Sequence, residues 1–205
     1  MRPAPPTLRA VQAAVGFSTH SGWAVAVTAG VDDDGHLAVV DRRRVTLIGD
    51  DLPRMAYHAA AELDADAAER LVASVEASIA DHARAVVADL VAARDVAVAG
   101  IAVVGQPREI PGVAVVLASH ARMHACEGEQ YRRGIVEAAN DLALPVLRIG
   151  PDELTGRATE LLEWSPERTE QELAAVRAAL GAPWQADHKH AALAALTLLR
   201  SQPGR

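Results

Sequence analysis

Apolar positions recur along this chain with two different periods, and the switches between them mark out its elements. Residues 8–17 are apolar and β-branched enough for a strand, which the polar, glycine-bearing stretch Ser18-Thr19-His20-Ser21-Gly22 brings to an end. Residues 23–28, WAVAVT, predict a second strand. Asp32-Asp33-Asp34-Gly35 then supplies an Asp-Gly hairpin signal, and a third strand is expected over 37–48. Three consecutive antiparallel strands follow from this order. Between Asp50 and Arg94 the spacing becomes helical, with Leu71, Val75, Ile79, Val86 and Leu90 on one stripe and His82 at its boundary. Residues 96–105, VAVAGIAVVG, form the short valine-rich run of a buried, parallel strand.

The next stretch is predicted as one long helix over 112–142. At roughly 100° per residue, Val113, Val116, Met123, Tyr131, Ile135 and Leu142 share a face, and His120, His124 and Glu127 fall among them. Arg122, Glu129, Arg132, Arg133 and Glu137 occupy the opposite side, where Glu129 and Arg133 have the spacing of a solvated ion pair. Cys126 lies off the inward face as a partly buried filler. A strand over 144–149, a helix from Pro151 to Leu162 and a helix from Ser165-Pro166 to Leu180 come next, Ser165 reading as an N-cap. Residues 186–200 predict an almost wholly apolar last helix. With residues 1–7 as a flexible arm, 201–205 as a tail and no internal repeat, the chain reads as a single domain over 1–205.

Composition narrows the function. Aromatic residues are only 3% of the 205, so the core is built from Ala, Val, Leu and Ile, and a row of aromatic platforms for single-stranded nucleic acid is disfavoured. A net charge of -7 does not favour nucleic acid as a partner, although Arg42, Arg43 and Arg44 could form a local basic patch. One cysteine permits neither an internal disulfide nor a cysteine-based zinc cluster. No apolar run approaches the roughly 18–20 residues of a membrane span, and no signal-peptide pattern opens the chain, so a soluble, cytoplasmic protein is expected.

Titratable groups on a buried helix face need partners, which makes that face a site candidate. His120 and His124, four residues apart, present two imidazoles on one side, a spacing compatible with Zn, Mn or Ni. Lys189 is the only lysine of the chain and stands among Asp187, His188 and His190, where it suits a phosphate-binding charge or a base; Asp187 also has the character of an N-cap. The small residues Gly128, Gly134 and Ala138 would let a second copy approach, giving a homodimer.

The order of elements is that of the α/β ribonuclease H-like fold, three antiparallel strands and then alternating helices and parallel strands. Three local stretches, GFSTHSG (16–22), GEQYRRGIVEAANDLALPV (128–146) and QADHKHAALAAL (185–196), resemble the RuvC-type Holliday-junction resolvases of that superfamily. The resemblance implies a nuclease holding two divalent metals on carboxylates, which activate water and stabilise the leaving oxygen. Ser18, however, stands where the first-strand Asp is expected, Gly105 or Gln106 where the fourth-strand Glu is, and His190 in place of the second Asp of the last helix, while Asp187 matches. A neutral serine and a neutral glutamine cannot hold a magnesium pair. The expectation is therefore a divergent metal-dependent hydrolase of phosphodiester or phosphorylated substrates. In it His120, His124, Asp187 and His190 hold a Mg, Mn or Zn ion, Glu127 orients a histidine, and Lys189 meets anionic charge. Ser18, Thr19 and His20 offer a phosphate-cradling turn, as in the sugar-kinase relatives of the fold. The alternative is a catalytically inactive binding or regulatory protein with the same fold.

Overall fold

A computed structural model describes residues 12–93 and 96–202. β1 (Ala13–His20), β2 (Trp23–Val31) and β3 (Leu37–Thr46) form an antiparallel meander. β4 (Val98–Val104) pairs parallel with β1, and β5 (Val146–Ile149) pairs parallel with β4, so the sheet runs β3-β2-β1-β4-β5. Parallel neighbours need crossovers, and helices supply them. α1 (Ala56–Ala60) and α2 (Ala65–Ala92) return the chain from β3 to β4; α3 (Val113–Leu117) and α4 (His120–Asp141) return it from β4 to β5. α5 (Pro151–Leu162), α6 (Pro166–Leu180) and α7 (Ala186–Ser201) follow.

The period of two along the strands separates two cores. Val15, Phe17, Ile101 and Val103 pack against α1 to α4, while Ala14, Val25, Val27 and Ala102 pack against α5 to α7. α7 lies directly on β1 because Gly16 has no side chain: a Cβ there would run into the Ala191 carbonyl. This close seat brings Asp187, in the first turn of α7, over the last residues of β1. On the other face α4 crosses α2 at Gly134, where a Cβ would lie 2.6 Å from Ile79 Cγ2. The small-residue stripe expected to meet a second copy is thus covered, at Gly134 and the buried Ala138, by packing within the chain. No described helix is long and apolar enough to cross a membrane.

Several predicted boundaries shift. β1 ends later than expected and takes in Ser18, Thr19 and His20, leaving Ser21-Gly22 as the hairpin turn, with Gly22 at φ 91°. Residues 8–11 and the arm over 1–7 lie outside the described residues. Ser201 closes α7 instead of opening a tail, and 203–205 are not described. The long helix is interrupted at Ala118-Ser119, where Ser119 is extended at φ -149° and ψ 117°. The first piece, α3, is five residues long and three of them are β-branched valines, and the Ser119 carbonyl then accepts from the amides of Arg122 and Met123 to start α4 afresh. Leu142, placed on the buried face by periodicity, is 46% exposed beyond the end of α4. Cys126 is buried rather than partly so.

Candidate functional site

The carboxyl edge of the sheet gathers the end of β1, the loop after β4 and the first turns of α4 and α7, the place where open α/β sheets bind ligands. Here Ser18 Oγ donates to Asp187 Oδ1 at 2.7 Å and His20 Nε2 donates to Asp187 Oδ2 at 3.1 Å. Both oxygens of the carboxylate are taken. Burial alone would raise the Asp187 carboxyl, but the hydrogen bonds from Ser18 and His20, with the charge of His20 and His190, hold it below the ordinary Asp range. His20 stacks on Trp23 with ring centroids 4.1 Å apart, and the Arg44 guanidinium sits 4.0 Å from the indole centroid. His188 caps α7 together with Gln185, whose amide donates to His188 Nδ1 at 3.3 Å. Burial, and then Arg42, push its pKa down.

The carbonyls of Gly105 and Gln106, the positions matched to a fourth-strand glutamate, both accept from Arg148 of β5, at 2.8 and 2.9 Å. Arg148 also grips the carboxylate of Glu129 with two nitrogens at 3.0 and 2.9 Å, and Arg132 adds a third bond at 3.0 Å. Glu129, expected on the solvated side, is only 3% exposed. The break at Ser119 does not reach this far; what places Glu129 inward is the crossing of α4 over β4 and β5, whose arginine supplies the compensating charge. Burial raises its carboxyl, and the bonds from Arg148 and Arg132 outweigh that and lower it. A two-metal carboxylate site does not fit this edge: of the matched positions only Asp187 is a carboxylate, Ser18, Gly105 or Gln106 and His190 fill the others, and the nearby Glu129 is paired with two arginines.

A second cluster lies where α1 meets the start of α4. One ring nitrogen each from His58, His120 and His124 falls within 4.8 Å of the others, the one such group of three potential metal ligands among the described residues. His120 Nε2 and His124 Nε2 are 3.1 Å apart. Glu127, 1% exposed, accepts from the backbone amide of His58 at 3.1 Å, and its two oxygens stand 2.9 and 3.0 Å from His58 Nδ1. A carboxylate only accepts, so Nδ1 carries the proton and Nε2 of the neutral ring carries the lone pair. That Nε2 is buried and has no hydrogen-bond partner among the described residues. Elsewhere on α4, Arg122, Ala125 and Cys126 line an open cleft of about 380 Å³ together with Arg108, Glu109 and Pro111.

The structure therefore divides the residues singled out in the sequence. His120 and His124 come together, but both are exposed instead of facing the core as the periodicity suggested, only Glu127 is buried, and their third imidazole is His58. Asp187 joins Ser18 and His20 instead, and Thr19 sits in the ladder opposite Ala24. Lys189 points to Glu170 of α6, 3.9 Å away, and His190 acts on Asp187 through its charge. His82 is a satisfied boundary residue, donating from Nδ1 to the Ser78 carbonyl at 2.8 Å. His58 carried no sequence signal, since it stands alone in Ala56-Tyr57-His58-Ala59-Ala60, far along the chain from its partners.

Strand order, crossovers and helix placement define an α/β protein of the ribonuclease H-like fold. Its solved-structure neighbours agree. The chain is similar to RuvC of T. thermophilus in complex with a Holliday junction substrate, at 16% identity and a TM-score of 0.53, covering 92% of this chain and 93% of that one. A further Thermus thermophilus RuvC structure matches at 13% identity and 0.54, over 92% and 94% of the two chains. The yeast mitochondrial Holliday junction resolvase Ydc2 matches at 12% and 0.52, over 95% and 80%. No protein-family model and no curated protein sequence matches the chain.

Proposed function

We propose that the chain is a binding protein for structured nucleic acid that keeps the ribonuclease H-like scaffold and does not cut by two-metal chemistry. The observation that carries this reading is that Ser18, a neutral donor, stands against Asp187 where a magnesium pair would need a second carboxylate. The ligand class follows from the neighbour seen in complex with a Holliday junction substrate. With a net charge of -7, contact with phosphates must be local, and the sheet edge supplies Arg44 on Trp23, Arg54 beside Gly22, and Arg108 and Arg122 in the cleft. Fluorescence anisotropy with a labelled four-way junction at several salt concentrations tests it. Four phosphate contacts give a slope of about -3 to -4 in log affinity against log salt. Magnesium-dependent strand cleavage lost in Asp187→Asn, or the absence of junction binding at low salt, overturns the reading.

A second reading, a hydrolase of phosphorylated substrates, is favoured by the histidine cluster, whose three ring nitrogens lie within 4.8 Å of one another. Three imidazoles leave a fourth position for water in the manner of catalytic zinc sites. Turnover of a bis(nitrophenyl) phosphate by zinc-loaded protein, lost in His124→Ala, supports it; no turnover above free zinc removes it.

A further inference from the structure

We infer that His58, His120 and His124 form a three-imidazole site for one divalent transition ion of the zinc class, with Glu127 as the positioning residue that fixes His58. Metal binding here depends on neither functional reading above.

The hydrogen-bonding alternative leaves a debt. In the protein as described, His120 and His124 satisfy each other with a single N–H···N contact at 3.1 Å. Glu127 fixes a proton of His58 on Nδ1, so in the neutral ring the buried Nε2 lone pair is left unmatched. A buried acceptor without a partner is uncommon and unfavourable. One cation at the centre of the cluster accepts all three lone pairs at once.

The dimensions agree. Nitrogens bound tetrahedrally at 2.0–2.1 Å stand about 3.3–3.4 Å from each other, close to the His120–His124 separation. The widest separation in the group is within 4.8 Å. His120 and His124 are exposed, so rotation of their side chains closes the difference while His58 stays where Glu127 and α1 hold it. A carboxylate on the far nitrogen of a metal-binding histidine is the usual outer support of such a site, since it sets the tautomer and raises ligand basicity.

The donor set chooses the metal. Three neutral imidazoles suit Zn, Co, Ni or Cu and are poor ligands for magnesium, which demands oxygen. The site is therefore chemically distinct from the carboxylate pair that resolvase resemblance implies, and it excludes Asp187 and His190, which lie with Ser18 and His20.

Tag-free full-length chain, stripped by chelator and dialysed, is titrated with cobalt and with zinc while metal content is measured by elemental analysis. One equivalent of zinc or cobalt per chain is expected, with the visible absorption of low-coordinate cobalt, a raised melting temperature, and no displacement by millimolar magnesium. His120→Ala and His124→Ala, both at exposed positions, should each weaken binding at least a hundredfold while the circular dichroism spectrum is kept. Glu127→Gln should retain one equivalent with about ten- to a hundredfold weaker affinity. Asp187→Ala should retain it unchanged. Folded wild-type protein that takes up no stoichiometric zinc or cobalt overturns the inference. So does uptake indifferent to His120→Ala and His124→Ala, or uptake lost in Asp187→Ala.

Discussion

Replacing Arg148 by methionine tests whether the loop after β4 is held by a buried charge network. The substitution keeps the aliphatic bulk, removes two of the three bonds to Glu129 and both donors to the Gly105 and Gln106 carbonyls, and leaves a carboxylate 3% exposed with Arg132 alone. Stranding one partner of a buried pair costs about 3–5 kcal/mol. Because Arg132 still contacts Glu129 and water can reach the exposed Gln106, the low end applies, about 3 kcal/mol. That corresponds to a fall of about 6–12 °C in melting temperature for a chain of this size.

Glu129→Gln should cost less, about 1–2 kcal/mol, since its amide oxygen still accepts from an arginine. In the double variant no carboxylate is stranded, so its loss should fall short of the summed single losses by about 1–3 kcal/mol. Urea unfolding of the four proteins measures the cycle. The acid limb adds a check of sign. Glu129 has a lowered carboxyl pKa, so its contribution is present above 4.5, its ordinary value, and disappears as pH falls through the lowered one. Arg148→Met raises that pKa again, so the gap between wild type and variant should be widest at neutral pH and narrow below 4.5. Single losses that add within about 0.5 kcal/mol, or a gap that does not change with pH, would refute a buried network as the source of the stability.

Three further outcomes follow from the same coordinates. Gly16→Ala should lift α7 from β1 and cost about 1–3 kcal/mol or more, read as a lower urea midpoint, because the obstacle is the Ala191 backbone and not a movable side chain. His36 Nδ1 lies 2.9 Å from Glu172 Oε1, and the hydrogen bond and charge of Glu172 raise the His36 pKa above 6.5. The ion-pair part of the tie between the β2–β3 hairpin and α6 is thus complete below 6.5 and lost as pH rises through the raised value, while the Leu37 amide still donates to Glu172; an NMR titration should show the midpoint returning toward 6.5 in Glu172→Gln. Arg42 donates to the carbonyls of Leu180, Gly181, Ala182 and Pro183, so Arg42→Ala should speed amide exchange around residues 180–185 while leaving the sheet core protected.

The parts of the fold legible in the sequence are those set by local period. The Asp-Gly hairpin, the valine run of β4 and the Ser165-Pro166 start of α6 needed no tertiary information, and Ser165 does accept from the Arg168 amide at 3.1 Å. The interruption at Ser119 was hidden because apolar spacing continues through it in nearly the same phase. Glu129 was misplaced for a different reason. A helix covered on two sides, by α2 and by the sheet edge, has no simple solvated face, and a carboxylate on it is acceptable only because Arg148 arrives from a strand that follows α4 in the chain.

The site shows the same division between local and distant information. His120 and His124 declare themselves by a four-residue spacing, and Glu127 by standing inward on the same helix. Their third partner cannot be read from spacing, because α1 is brought to α4 only by the packing of both on one face of the sheet. Resemblance supplied Asp187 for that role, and Asp187 is drawn instead to Ser18 and His20 at the end of β1. These contacts make Asp187 a link between β1 and α7, a role that needs no bound cation.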